Sequence, residues 1–312
     1  MDQSAVTEVS VEDLLNNLLD LAQPLDPLEL PLLDAHGATL AEDVFLGDRK
    51  VLSAGNAIRS THIGLAASLG LNRLPARPHP RVVIISAGDD LVEPGYRLLD
   101  TDDEFESNSW MLTTAVREAG ATAYRVHAIP ENESQLRTVI EDQMVRADLI
   151  VLSGETQDES FDLITSVLVG LSDDGISTVI PRMSDTGRHN YGTIGPDRIP
   201  VVTLPGDPVA AYISAEIFIR PMIRTMIGAT NPLRRKIKAR LRESIESPAG
   251  ARSFLRAQLS GSASSMEAAL LANQNELFTL AEAHCLIMIA EPVTHLAAGD
   301  QVDVMLLESN KH

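Results

Sequence analysis

The chain has 312 residues, enough for more than one hydrophobic core, and its balance of 44% hydrophobic to 22% charged residues excludes a disordered chain. With 44 acidic residues against 25 basic ones, the net charge of −19 would repel a phosphate backbone, which argues against nucleic acid as a partner. Residues 1–10 are polar and acidic without a signal-peptide pattern, and nowhere do 18 apolar residues run together; the expected compartment is the cytoplasm, with no membrane insertion.

Ser10 followed by Asp13 marks a helix start, and Leu14, Leu15, Leu18, Leu19 and Leu21 recur on one face, so a helix is predicted over Val11–Leu21. Pro24 and Pro27 end it. Leu28–Leu33 and Leu40–Val44 read as short strands around His36–Gly37. Ser60 can cap a second helix that Gly70 closes, and Pro75, Pro78 and Pro80 predict a linker. None of these pieces is large enough for its own core, so residues 1–80 read as one platform.

From Arg81 the pattern changes. Val82–Val83–Ile84–Ile85 is unalternating, as in a parallel strand buried on both faces. A helix over Ser107–Ala119 ended by Gly120, a strand over Thr122–Ala128, a helix over Glu133–Val145 and a strand over Leu149–Leu152 follow. A helix over Phe161–Val169, a strand over Ile199–Leu204 and a helix over Pro208–Ile227 complete the run. Strands alternating with helices of this length predict an α/β, doubly wound domain over residues 81–228. Beyond Pro232 the segments Lys236–Leu241, Ser253–Leu259, Cys285–Ile289 and Gln301–Leu307 read as strands of a small β-rich domain over residues 229–312. The basic run Arg234–Arg242 reads as a solvated strand or linker, and the single cysteine, Cys285, as core.

In open α/β sheets ligands sit beyond the carboxyl ends of the strands. Three loops there carry chemistry. The first runs Ser86–Ala87–Gly88–Asp89–Asp90–Leu91 and on to Glu106–Ser107–Asn108–Ser109, where small residues let backbone amides approach an anion and Ser107 and Asn108 stand at a helix N-terminus. The second is Ser153–Gly154–Glu155–Thr156–Gln157–Asp158–Glu159–Ser160–Phe161–Asp162. The third is Pro205–Gly206–Asp207–Pro208–Val209–Ala210. Each alone is more often plain turn chemistry; their order and spacing together are specific.

With these loops, residues 82–227 resemble the molybdopterin-binding domain of the MoeA and gephyrin E-domain family, the molybdopterin molybdenumtransferases. Ser86–Leu91 resembles that family's T-G-D-E-L loop, Glu106–Asn108 its D-S-N and Pro205–Ala210 its P-G-N-P-V-S, while Glu8–Val44 with Asn56–Leu71 and the tail ending Gly299–Val304 are similar to its platform and C-terminal domains. The resemblance implies catalytic positions at Asp89, Asp90 and Asp162, with Mg²⁺ at Asp89 and Asp162 in an active enzyme. It implies pterin contacts at Ser107, Asn108, Ser153, Gly154, Pro205, Gly206, Asp207 and Pro208.

Two departures bear on activity. The family's S-G-G-x-S-x-G loop has Glu155 and Glu159 in place of inner glycines, and with Asp158 these acids would repel a phosphate and a molybdate dianion. Near residues 45–50 the family's D-x-S-x-M-D-G-Y-A segment and an inserted second domain are missing. The resulting expectation is a catalytically degenerate scaffold, homodimeric, with neither cofactor nor metal, similar to an actinobacterial gephyrin-like branch tied to cell division. Its expected partner is a short protein tail such as the C-terminus of the tubulin-like protein FtsZ, held by Leu15, Phe254, Leu286, Met288 and Val293; for each of these five, core packing is the plain alternative. The competing expectation is a molybdopterin molybdenumtransferase that inserts molybdate, using Mg²⁺ and molybdopterin.

Overall fold

The structure is a computed structural model and describes residues 6–88, 90–101, 103–129, 132–154, 158–262 and 265–307. Its central sheet contains β1 (Thr7–Val9), β2 (Arg81–Ala87), β3 (Thr122–Ile129), β4 (Leu149–Ser153), β5 (Ile176–Pro181), β6 (His189–Ile194) and β7 (Ile199–Leu204). Their spatial order is β1-β5-β6-β7-β4-β2-β3. β7, β4, β2 and β3 run parallel, while β6 is antiparallel to both of its neighbours.

The helices are α1 (Val11–Leu21), α2 (Ser60–Ser68), α3 (Asn108–Ala119), α4 (Glu133–Met144), α5 (Asp158–Leu171), α6 (Pro208–Ser214), α7 (Arg220–Met226) and α8 (Leu277–Glu282). Successive side chains of a strand point to opposite faces, and β2 shows why its apolar run does not alternate. Val82 and Ile84 pack with α1, α3 and α6 to α7, whereas Val83 and Ile85 pack with α4 and α5. Both faces are thus covered, as a parallel sheet requires.

Residues 7–22 belong to this unit and not to the expected platform: β1 pairs with β5, and Val11, Leu14 and Leu18 lie in the central core. The rest of the platform closes around Ala35, Leu40, Ile58 and Leu74. The linker expected at Pro75 is instead partly a strand. Arg73–Arg77 lies between Leu28–Pro31 and Thr39–Leu40, and burial of Leu74 and Ala76 offsets the poor strand tendency of Pro75. At the joint where the family carries its insertion, Val44–Leu46 and Arg49–Leu52 form a short antiparallel hairpin, turned by Gly47 at φ +58°.

The tail forms a closed barrel of β8 (Lys236–Leu241), β9 (Ser253–Ser260), β10 (Glu267–Leu270), β11 (Cys285–Ile289) and β12 (Gln301–Leu306), in the order β8-β10-β9-β11-β12. Cys285 is fully buried there, and desolvation pushes its thiol up to about 12, which makes it unreactive. The basic run is not wholly solvated. Arg234 is buried in an ion pair with Glu216, a carboxylate carried inward by a π turn over Ala215–Ile219.

Of the five expected partner-groove residues, two are buried by the chain itself and three are half-buried. Phe254 and Leu286 are 3% and 0% exposed, and they share one core with Leu14 and Leu18 of α1, against which Leu15 and Met288 pack half-buried. Val293 packs half-buried on the barrel's own core. Arg252 fastens the seam from the barrel side, pairing with Glu12 of α1 and, at 3.1 Å, with Glu291. Apolar residues on two facing elements bury each other before they can wait for a partner.

Candidate active site

A cleft of about 230 Å³ opens at the carboxyl ends of β2, β4 and β7. Its lining comes from all three loops singled out in the sequence: Ser86 to Gly88 with Asp90 and Leu91, then Glu104 to Asn108, and across from them Ser153, Gly154, Gly206 and Pro208. The sheet holds the loops close. A Cβ on Gly154 would lie 3.1 Å from the carbonyl oxygen of Ala87 and equally close to Ile164, so the turn after β4 is pressed against the end of β2.

One side chain ties the loops together. Asn108, at the start of α3, donates from Nδ2 to Ser153 Oγ (2.9 Å) and to the carbonyl of Gly206 (2.6 Å). Ser153 Oγ in turn donates to the carbonyl of Pro205 at 3.2 Å. Because a carbonyl can only accept, this relay fixes which end of the amide is nitrogen. The Oδ1 of Asn108 is then left buried without a partner among the described residues.

The helix start differs from the expected one. Ser107 makes no side-chain capping bond; Glu106, one residue earlier, accepts from Ser109 N at 2.7 Å and from Ser109 Oγ at 2.6 Å. The Ser107 hydroxyl is therefore not engaged in capping and stands in the cleft wall. Arg125 on β3 holds the base of this region. It forms a two-pronged ion pair with Glu93 (2.8 and 3.1 Å), lies 3.6 Å from Glu106, donates to Ser109 Oγ at 3.1 Å and stacks 4.1 Å from the ring centre of Trp110. Glu93 and Glu106 bracket the segment 93–106, so one guanidinium closes that loop at both ends.

The remaining expected residues are placed as follows. Asp90 lines the cleft, and Asp89 lies outside the described residues. Asp162 is not among the described lining residues. Its side chain is 74% exposed and pairs with Arg188 at 3.3 Å, while Arg188 covers the ring of Phe161. Asp207 caps α6 by accepting from Ala210 N at 2.8 Å and does not line the cleft, whereas Pro205 contributes only its carbonyl. Glu155 lies outside the described residues, as do the side chains of Asp158 and Glu159, whose backbone opens α5. Sequence reasoning missed Phe105 and Arg125. An aromatic next to the Glu106–Asn108 motif was the available signal for the first; for Arg125, on a strand with no motif, there was none.

One member of the expected Mg²⁺ pair, Asp89, lies outside the described residues; among the described ones no three carboxylate, imidazole or thiol groups converge, and Asp162 faces an arginine. No described residue lining the cleft is a lysine or arginine.

Residues 83–225 match the family described as "Probable molybdopterin binding domain", and residues 238–307 match "MoeA C-terminal region (domain IV)". Two segments of the chain are thus similar to MoeA-type proteins. Molybdopterin molybdenumtransferase 2 of Mycobacterium tuberculosis is 36% identical over 267 residues, covering 84% of this chain and 65% of that protein. Molybdopterin molybdenumtransferase 1 of the same organism is 32% identical over 273 residues, covering 85% and 63%. The chain thus spans just under two thirds of the length of these MoeA relatives. In fold, a crystal structure of a molybdopterin biosynthesis MoeA protein from Pyrococcus horikosii superposes with a TM-score of 0.80 at 17% identity, covering 97% of this chain and all of that one. A molybdenum cofactor biosynthesis protein from Pyrococcus furiosus gives 0.72 at 21% identity, covering 96% and 99%. No helix among the described residues is long and apolar enough to cross a membrane.

Proposed function

We propose that the chain binds a molybdopterin-type compound in the cleft at the ends of β2, β4 and β7 and serves molybdenum cofactor assembly, as a molybdopterin molybdenumtransferase. The observation that carries this reading is the Asn108 relay. A single amide joins all three family-like loops around an open, mostly polar cleft, in the place where parallel α/β sheets take their ligands. The names of the mycobacterial relatives point the same way.

The scaffold reading, with an FtsZ tail in a groove, has less support. Two of its five anchors, Phe254 and Leu286, are buried in the chain's own core and would have to be uncovered before a partner could reach them.

Calorimetric titration with molybdopterin tests the proposal. The unaltered chain should bind with a dissociation constant on the order of 1 μM, about −8 kcal/mol. Asn108→Leu and Ser153→Ala, each checked for an unchanged circular dichroism spectrum, should weaken binding. Undetectable binding by the unaltered folded chain would overturn the assignment.

A further inference from the structure

The amino ends of β2, β4 and β7, opposite the cleft, border a second and larger recess of about 550 Å³. Arg81 opens β2 there, Asp148 precedes β4 and Ile199 opens β7, while the last turns of α1 and α4 and the turn between β6 and β7 complete the wall. Its inner surface is apolar: Ile199 and Met226 are buried, and Leu21, Leu25 and Met144 are half-buried. The wall is closely built. Gly195, in the turn after β6, takes φ +68°, and a Cβ on it would lie 2.9 Å from Met144 Sδ.

The lip of the recess carries negative charge that the chain does not neutralise. Both arginines of the lining are already matched: Arg81 holds Asp148 at 2.7 and 3.1 Å, and Arg198 pairs with Asp174. The carboxylates of Asp20 and Asp197 are exposed on the lip without a partner among the described residues. α1 and α4 both end here with no basic residue in the last turn, so the partial negative charge of their final carbonyls adds to that of the two carboxylates. Such a place repels an anion. A hydrated cation such as Mg²⁺ gains little from it, because that ion keeps most of its water and has no use for an apolar wall.

From an apolar wall inside an anionic lip we infer that the recess is a second ligand site, separate from the cleft, for a linear aliphatic polyamine. The methylene chain lies along Leu21, Leu25, Met144 and Met226, and the ammonium groups face Asp20 and Asp197. Lysine and arginine side chains divide themselves in the same way on protein surfaces, with the stem on apolar neighbours and the charged end toward water. The net charge of −19 draws any polycation toward the chain, whereas the apolar wall selects one that carries a hydrocarbon stem. The inference is independent of what the cleft binds.

The test is calorimetry and methyl NMR on the full chain labelled at its methionine methyl groups. The probes are spermidine and hexamethylenediamine; the controls are hexanediol, which has the stem without the charge, and Mg²⁺, which has the charge without the stem. Both amines should bind saturably and shift the Met144 and Met226 methyl signals, each assigned by its replacement with Leu, and neither control should do so at the same concentration. Asp20→Asn and Asp197→Asn, both at exposed positions, should each weaken amine binding about threefold to fivefold, the range of an exposed ion pair. Methionine signals that stay in place, a response to Mg²⁺ as large as that to the amines, or an unchanged amine affinity in the variant carrying both substitutions would overturn the inference.

Discussion

At the scale of single residues, the structure separates groups that hold the cleft from groups that could act in it. His189 belongs to the first kind. It is fully buried, with one ring nitrogen 3.0 Å from the carbonyl of Gly187 and the other 3.2 Å from Ser214 Oγ, and burial lowers its pKa from 6.5 to about 4. A depressed pKa means that the fold holds the neutral imidazole. Its contribution is present above about pH 6.5 and is lost as pH falls through 4, on the order of 3 kcal/mol in all. Urea midpoints measured from pH 7 to 4 should fall more steeply for the unaltered chain than for His189→Gln; parallel curves would show that another group governs the acid limb. Arg125 is the second residue to probe. Arg125→Met leaves the carboxylate of Glu106 buried with Ser109 as its donor among the described residues, at a cost of about 1–3 kcal/mol. Adding Glu106→Gln should recover part of that loss in urea unfolding, and no recovery would show that Arg125 acts through Glu93 alone.

At the scale of elements, legibility in the sequence followed burial. The double-faced strand β2, the parallel strand β4, α1 and the barrel strands are continuous apolar runs or 3.6-residue patterns, and the structure has them where the sequence put them. β6 carries no strand signal in the sequence. Its sequence His189–Asn190–Tyr191–Gly192–Thr193–Ile194 lacks an apolar run, yet His189, Asn190 and Thr193 are buried because side-chain hydrogen bonds satisfy them. Of the site, the three loops were legible as motifs, but Phe105 and the Arg125 clamp depend on pairings between distant segments that no local pattern encodes. For the partner groove the sequence offered no distinction, because apolar side chains such as Phe254 and Leu286 look the same in sequence whether they wait for a ligand or pack in the core, where these two lie. The π turn carries its own prediction. Glu216 enters the core there and meets Arg234, with Nη2 2.8 Å from Oε1. Arg234→Ala should cost about 3–5 kcal/mol in urea unfolding by leaving that carboxylate buried and unpaired, whereas Glu216→Leu with Arg234→Leu should be much milder. Equal losses from the single and double changes would mean that packing, and not charge, holds the turn.

At the scale of the whole molecule, one core runs from the sheet and α1 into residues of the barrel, while the other face of the sheet, the barrel interior and the platform each have their own. We expect a homodimer, and the net charge of −19 gives the expectation a salt dependence. Like-charged chains repel, and salt screens that repulsion, so light scattering at micromolar protein should show the mass of two chains more completely at 0.5 M than at 0.05 M salt, Debye lengths of about 4 and 14 Å. A monomer at both would remove the dimer. The central claim is that the cleft over β2, β4 and β7 is where the chain meets its ligand. The most direct measurement is a crystal structure of the full chain grown with molybdopterin. It should show the ligand in this cleft, against the loops that carry Ser86, Ser107 and Gly206. Ligand density between α1 and the barrel, with the cleft empty, would contradict it.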